Sequence, residues 1–280
     1  MTVSTIVKAD GTVEAFDPAK LIGSLTKAGA TMASAERIAH VILSTSASSV
    51  MSAEVYRKAF SMLRREAKPA AARYALRRAL LELGPSGHPF EDFIAELYTA
   101  EGWNVEWRKI VQGKCVSHEV DLFATRGEET IAGELKYHND AFYKTDVKVA
   151  LYVKARLDDV ANCQPGKRTC VITRGCLITN TKFTKHAIDY GKCSGVELIG
   201  WNYPAEGNLF DRIVASGIYP VSTLTTLKKA EKNLLIGERI VTTRGLKERR
   251  EVLRKIGVPP SRIGSILAEI ETLHNPVSHG

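Results

Sequence analysis

Two acids and a lysine fall together in the stretch 118–138, HEVDLFATRGEETIAGELKYH. Asp121 lies in one short apolar run, and Glu134 and Lys136 stand two apart in the next. Side chains alternate across a β-strand, so Glu134 and Lys136 share a face. The intervening ATRGEET reads as a hairpin-like loop that brings Asp121 alongside. Two carboxylates and an ammonium on one face could hold a divalent cation and the water it activates, which is the chemistry of phosphodiester cleavage. Each part alone has a plainer reading, since a lone Asp at a strand end is usually a cap or turn residue. A lone Glu–Lys pair on a strand is usually a solvated face. The flanking Ile131, Ala132 and Leu135 argue for a cleft, where a buried Glu and Lys need partners.

Other groups near this stretch have open roles. His138 falls two after Lys136, where it could touch a phosphate or orient the lysine, or serve as a satisfied structural histidine. His118 flanks Asp121 in the same way. Thr179, Asn180 and Lys182 read as the start of a helix whose N–H groups could receive a phosphate. Trp103, Trp107 and Trp201 read as core or cleft-lining residues.

The elements that must position these groups belong to the middle of three regions. From about Pro89 to Pro220 the pattern gives a helix over PFEDFIAELYTAEG and strands at 104–111, 118–124 and 130–137. A helix follows at 144–159, then a short strand at 169–173, a helix at 182–191 and a strand at 195–200. That order makes a mixed sheet flanked by helices, within a multi-domain α/β fold. Before it, residues 1–84 open with a hairpin signalled by Asp10-Gly11, and Asp17-Pro18 then caps the first of four helices. LGPSGHP reads as a linker. After it, residues 221–280 are helical, with candidate helices at 224–235, 246–256 and 260–273.

The chain has 280 residues and a formal net charge of +8. Eleven Lys or Arg against four Glu between Lys228 and Arg262 leave a surplus of seven in that segment. Such a segment suits a polyanion through counterion release, or forms a solvated helix face. KIGVPPSRIGSIL, which overlaps its end, carries a weak helix-turn-helix or helix-hairpin-helix signal. Five cysteines (Cys115, Cys163, Cys170, Cys176 and Cys193) have no paired C-x-x-C spacing, which speaks against a zinc site or disulfide framework. No apolar run reaches the ~18 residues of a membrane helix and no signal-peptide pattern opens the chain, so a soluble, cytoplasmic protein is expected. No G-x-x-x-x-G-K-[ST] phosphate loop occurs.

Phe90-Glu91, EVDLFA and GELKYHN together resemble the PD-(D/E)xK nuclease core in its Mrr-type restriction-endonuclease form. The likeness spans roughly residues 88–205 and includes ITNTKFTKHAIDYGKCSGVELIGW as a late strand–helix–strand unit. It implies that Asp121 and Glu134 are metal-binding acids, with the Leu135 carbonyl a further ligand, for Mg²⁺ or Mn²⁺. It implies that Lys136 orients the attacking water and offsets transition-state charge, and that Glu91, with Glu96 as runner-up, is a helical acid acting through water. The opening IVKADGTVEAFDPAKLIGSLTKAGA resembles an ATP-cone over roughly residues 3–84. That resemblance implies contacts from Val7, Lys8 and Lys20 to ATP or dATP as effector; the family usually has a basic residue where this chain has Ala9. Together they imply a Mg²⁺-dependent endonuclease acting on double-stranded DNA in restriction or repair, regulated by an adenine nucleotide and assembled as a homodimer. The alternative is a nucleotide-responsive DNA-binding regulator without cleavage.

Overall fold

The computed structural model describes residues 5–8, 11–162 and 172–274. Ala9, Asp10, Cys163 and Cys170 lie outside them, so the Asp10 turn and two of the thiols carry no structural statement. The chain divides into two compact units. One runs to Leu76 and includes the chain's end from Ala268, and the other spans Arg77–Leu267.

In the first unit, β1 (Thr5–Val7) pairs antiparallel with β2 (Val13–Ala15). Helix α1 (Pro18–Lys27) starts where the Asp17 carboxylate accepts the Ala19 N–H at 3.0 Å, with proline supplying a ready-made first-turn φ. Helix α2 (Met32–Thr45) is capped by the Thr31 hydroxyl. Then β3 (Ser49–Met51) pairs parallel with β1, an addition the sequence pattern did not reveal, and leads into α3 (Ser52–Glu66). Leu25, Ile38, Ile42, Val55 and Leu63 form the core. Helix α4 (Lys68–Leu81) begins in this unit and ends in the next.

The second unit holds a five-stranded mixed sheet. Its elements are α5 (His88–Ala100), β4 (Asn104–Gln112), β5 (Ser117–Arg126) and β6 (Glu129–Lys136). They continue with β7 (Lys144–Thr145), α6 (Val147–Ala161), β8 (Arg174–Thr179), β9 (Lys182–Phe183), α7 (Lys185–Ser194) and β10 (Val196–Ile199). The strand order is β10-β8-β6-β5-β4, antiparallel through β4, β5 and β6 and parallel through β6, β8 and β10. The fourth sheet strand in chain order, β8, differs from the sequence reading. Ile172 and Thr173 belong to no strand, and the buried strand is Arg174–Thr179; residues 169–171 lie outside the described set. Helix α7 starts at Lys185 on a Thr184 cap, not at 182.

Beyond the sheet come α8 (Leu209–Ser216), α9 (Lys229–Gly237), α10 (Thr243–Glu248), α11 (Val252–Lys255) and α12 (Pro260–His274). The expected helix at 224–235 begins five residues later, after a tight turn at Val221–Thr223, and the expected 246–256 helix is two short pieces. Among the described residues, no helix is long and apolar enough to cross a membrane.

Candidate active site

The site forms where the β5–β6 ladder ends. The last paired residues are Leu122 and Gly133, one short of Asp121 and Glu134. Beyond that point the Asp121 side chain takes over from the backbone, its Oδ2 accepting the Leu135 N–H at 2.8 Å. On its other edge β6 stays paired with β8, Glu134 opposite Leu177 and Lys136 opposite Thr179, so both side chains stand on a strand fixed from one side. Gly133 permits the close approach of β5 and β8. A Cβ there would lie 2.8 Å from Cys176 Sγ and 3.3 Å from Leu122 Cβ.

Glu134 is buried, 7 % exposed, and both carboxylate oxygens accept from cations. Lys136 Nζ donates to Oε1 at 2.7 Å, and Arg156 Nη1, from α6, donates to Oε2. Arg156 also donates to the Glu119 carbonyl, which anchors it over β5. A buried carboxylate with two charge-assisted partners meets the requirement that buried charge be paired. Asp121 is less well served. Burial, followed by the nearby Glu134 charge, pushes its carboxyl up to about 6, with a further push from Glu91; the Leu135 amide and Lys136 act in the opposite sense. Asp121, Glu134, Glu91 and Lys136 thus act on one another's charge.

Glu91 enters from the first turn of α5, which Pro89 starts. Its Oε2 accepts from Arg108 Nε at 2.7 Å and lies 3.3 Å from His88 Nδ1. Arg108 has left-handed backbone, φ 52°, a conformation costly for a side chain of this size. The β4–β5 register shows the result. Trp107 pairs with Leu122 and Lys109 with Val120, and the Arg108–Asp121 position between them is left out of the ladder. The distortion therefore falls directly opposite Asp121, and it delivers the guanidinium to Glu91.

Several neighbours serve the framework. His138 stacks on Tyr143 with centroids 3.9 Å apart, and its Nε2 meets Thr145 Oγ1 at 3.1 Å. Its backbone N–H and C=O both bond the Asn180 amide, so His138 and Asn180 tie β6 to the end of β8. His118 Nε2 meets Asp159 Oδ2 at 2.8 Å, while Asp159 also accepts the Cys115 and Val116 amides. Tyr137 points away, its hydroxyl donating to the Leu81 carbonyl at 2.8 Å. Glu96 does not join the site, because its carboxylate accepts from the Thr242 hydroxyl. Thr179 and Asn180 are buried at a strand end rather than in a helical first turn, so the expected helix-terminus phosphate site is not formed by them. Trp103 is buried under Arg126, Trp201 packs edge-on against Phe210, and Trp107 is exposed.

In the first unit, Val7 sits in β1 between Val13 and Met51, Lys8 pairs with Glu14, and Lys20 stands exposed in the first turn of α1.

Among the described residues, no group of three or more His, Cys, Asp and Glu side chains is disposed to hold a metal ion. The donors expected from the sequence are fewer and harder: the Asp121 and Glu134 carboxylates and the Leu135 carbonyl. Mg²⁺ is ordinarily held by one or two carboxylates plus water and phosphate oxygens, so this set suits it. The Asp121 carboxyl, raised first by burial and then by its acidic neighbours, is the group a cation would relieve.

Comparison with known proteins covers most of the second unit. A restriction-endonuclease family model matches residues 84–202, and an AF1548-like C-terminal model matches 219–274. An uncharacterised protein of Archaeoglobus fulgidus is 31% identical over 176 residues, which are 63% of this chain and 97% of that protein. The crystal structure of AF1548, a protein of unknown function, is similar with 29% identity and a TM-score of 0.54, across 68% of this chain and 98% of its own. The matched C-terminal domain contains the basic segment between Lys228 and Arg262.

Proposed function

The chain belongs to the same family as its Archaeoglobus fulgidus relative and carries a restriction-endonuclease domain, and from that premise we propose that it is a Mg²⁺-dependent (or Mn²⁺-dependent) endonuclease of double-stranded DNA. The observation that carries this reading is the convergence of Asp121, Glu134, Glu91 and Lys136 at the broken end of the β5–β6 ladder. Asp121, Glu134 and the Leu135 carbonyl would hold the cation. The bound metal supplies Lewis-acid polarisation of the phosphate and lowers the pKa of water. Lys136, kept in place by Glu134, presents its ammonium where charge builds on the phosphate oxygens and where the attacking water must be oriented. Arg108 sets the position of Glu91, which acts on the same centre through water. Cleavage leaves a 5′-phosphate, and a homodimer presents two such centres to the two strands.

Two further assignments belong to this proposal. Residues 1–84 are an ATP-cone that binds ATP or dATP through Val7, Lys8 and Lys20, followed by a nuclease domain at 88–220 and a basic helical region at 221–280. The hairpin β1–β2 with the capped start of α1 supports the first of these. Nucleotide then gates cleavage to the extent that it binds one state of the enzyme more tightly.

The test is conversion of supercoiled plasmid with Mg²⁺, comparing wild type with Glu134→Gln and Lys136→Ala, each with and without ATP and dATP. Nicking or linearisation by wild type, reduced at least a hundredfold in each variant, is expected. DNA binding with no cleavage of unmodified, methylated or branched substrates would replace this reading by a non-cleaving regulator.

A further inference from the structure

A concavity is lined by residues that follow Glu91 in α5. It has a volume of ≈ 670 Å³ and is walled by Asp92 and Glu96 of α5, Trp107 of β4, and Arg239, Arg244, Glu248 and Arg249 of the C-terminal domain. Its volume is that of a small-molecule or single-nucleotide site. Trp107 is 46 % exposed, in contrast to the buried Trp103. Arg239 donates to Asp92 at 3.1 and 2.7 Å, and Arg249 donates to the Arg239 carbonyl at 2.9 Å, so the basic wall is braced. Arg239, like Arg108, is a non-glycine residue with left-handed backbone, φ 57°. Both of these strained arginines face Asp92, Arg108 from 3.7 Å. Glu96 lies in the wall with Thr242 as hydroxyl donor, and burial raises its carboxyl.

Building on the nuclease reading above, we propose that this concavity receives one unpaired nucleotide of the DNA substrate beside the cleavage centre. The exposed indole offers a stacking face for a base, which is tolerant of base identity. Glu96 can accept from the exocyclic amine of that base. On the exposed rim, where Arg244 lies 3.5 Å from Glu248, Arg244 and Arg249 are the groups that flanking phosphates would meet. Arg108 couples the two places, contacting Glu91 of the candidate centre and lying beside Asp92 of this wall. Along the sheet, Trp107 pairs with Leu122, the residue that follows Asp121 in β5.

The experiment measures binding in EDTA, by fluorescence anisotropy, of a paired duplex and the same duplex carrying a bulge of unpaired nucleotides. Wild type is expected to prefer the bulged duplex about tenfold, the affinity equivalent of stacking one base. Trp107→Ala should erase that preference and leave paired-duplex affinity unchanged. Equal binding of the two duplexes by wild type, or equal weakening of both by Trp107→Ala, overturns the inference while the nuclease reading stands. Binding of neither duplex overturns both. Titration with dCMP separates the sources of the same chemistry, because tight binding of the free nucleotide with no preference for bulged DNA assigns the concavity to a mononucleotide and overturns the strand-borne version.

Discussion

Asp121→Asn should stabilise the protein and abolish its metal binding. The wild-type carboxyl titrates at about 6, displaced upward by burial and then by Glu134. A carboxyl that loses its proton near 6 instead of near 4 carries about 3 kcal/mol of unfavourable charge at neutral pH in the folded state. The side chain is only half-buried, and solvent screening cuts this to roughly 1–2 kcal/mol. Asparagine keeps an oxygen for the Leu135 N–H, which Asp121 accepts at 2.8 Å, and removes the charge. In EDTA at pH 8 the variant should therefore melt about 3–6 °C higher. The direction with pH follows from the raised carboxyl. Its penalty is absent below the ordinary carboxylate pKa near 4 and complete above about 6, so the gap should close as pH falls from 7 to 4. With Mg²⁺ the order reverses, since a cation that binds only the native wild type adds about 2.7 kcal/mol at a hundredfold excess over its Kd. Thermal melts across pH 4–8, with EDTA and with Mg²⁺, read all of this. A variant less stable than wild type in EDTA at pH 8, or a gap that ignores pH, would refute the argument that Asp121 is a crowded, unrelieved charge.

Two further expectations follow from individual contacts. Gly133→Ala should destabilise the nuclease domain by about 1–3 kcal/mol in urea unfolding, because its methyl would meet Cys176 Sγ at 2.8 Å, and Cys176→Ala in the same chain should recover part of that loss. Arg156→Ala should tighten Mn²⁺ binding, read by calorimetry without DNA, by roughly threefold to tenfold, since one of two cations now engaging Glu134 is removed; weaker binding would assign Arg156 to ordering the site instead.

The parts of this site that could be read from the sequence are those set by short-range periodicity. Asp121, Glu134 and Lys136 lie on two strands joined by a tight loop, and the alternation that puts Glu134 and Lys136 on one face does not depend on the rest of the chain. Arg108 and Arg156 escaped that reading. They reach Glu91 and Glu134 across 17 and 22 residues, and no local spacing marks either one. The strand at Arg174–Thr179 was misplaced for a related reason. A parallel strand buried on both faces shows only a continuous apolar run, and its limits are set by pairing with β6 and β10. In the C-terminal domain, Leu224 and Leu227 are buried in an irregular stretch before α9, where apolar spacing alone suggested helix. His138 was ambiguous because its partners, Tyr143, Thr145 and Asn180, come from a loop and two other strand ends.

The charge arrangement explains how such a site can fold without a cation. An isolated buried Glu134 would be costly, and a structural metal centre solves that cost by folding only when loaded. Here Lys136 and Arg156 occupy both oxygens of Glu134, and Arg108 occupies Glu91, so the acidic cluster is held by side chains of the same unit. Among the described residues Asp121 is the member whose hydrogen-bond partner is a backbone N–H, and it is the one whose carboxyl is pushed up. Any cation that binds must therefore gain most at Asp121 and must compete with Arg156 at Glu134. The first interaction favours loading, and the second returns a guanidinium to the neighbourhood where a DNA phosphate would arrive. On the proposed reading, a site built this way would stay folded without metal and still respond steeply to metal as an enzyme.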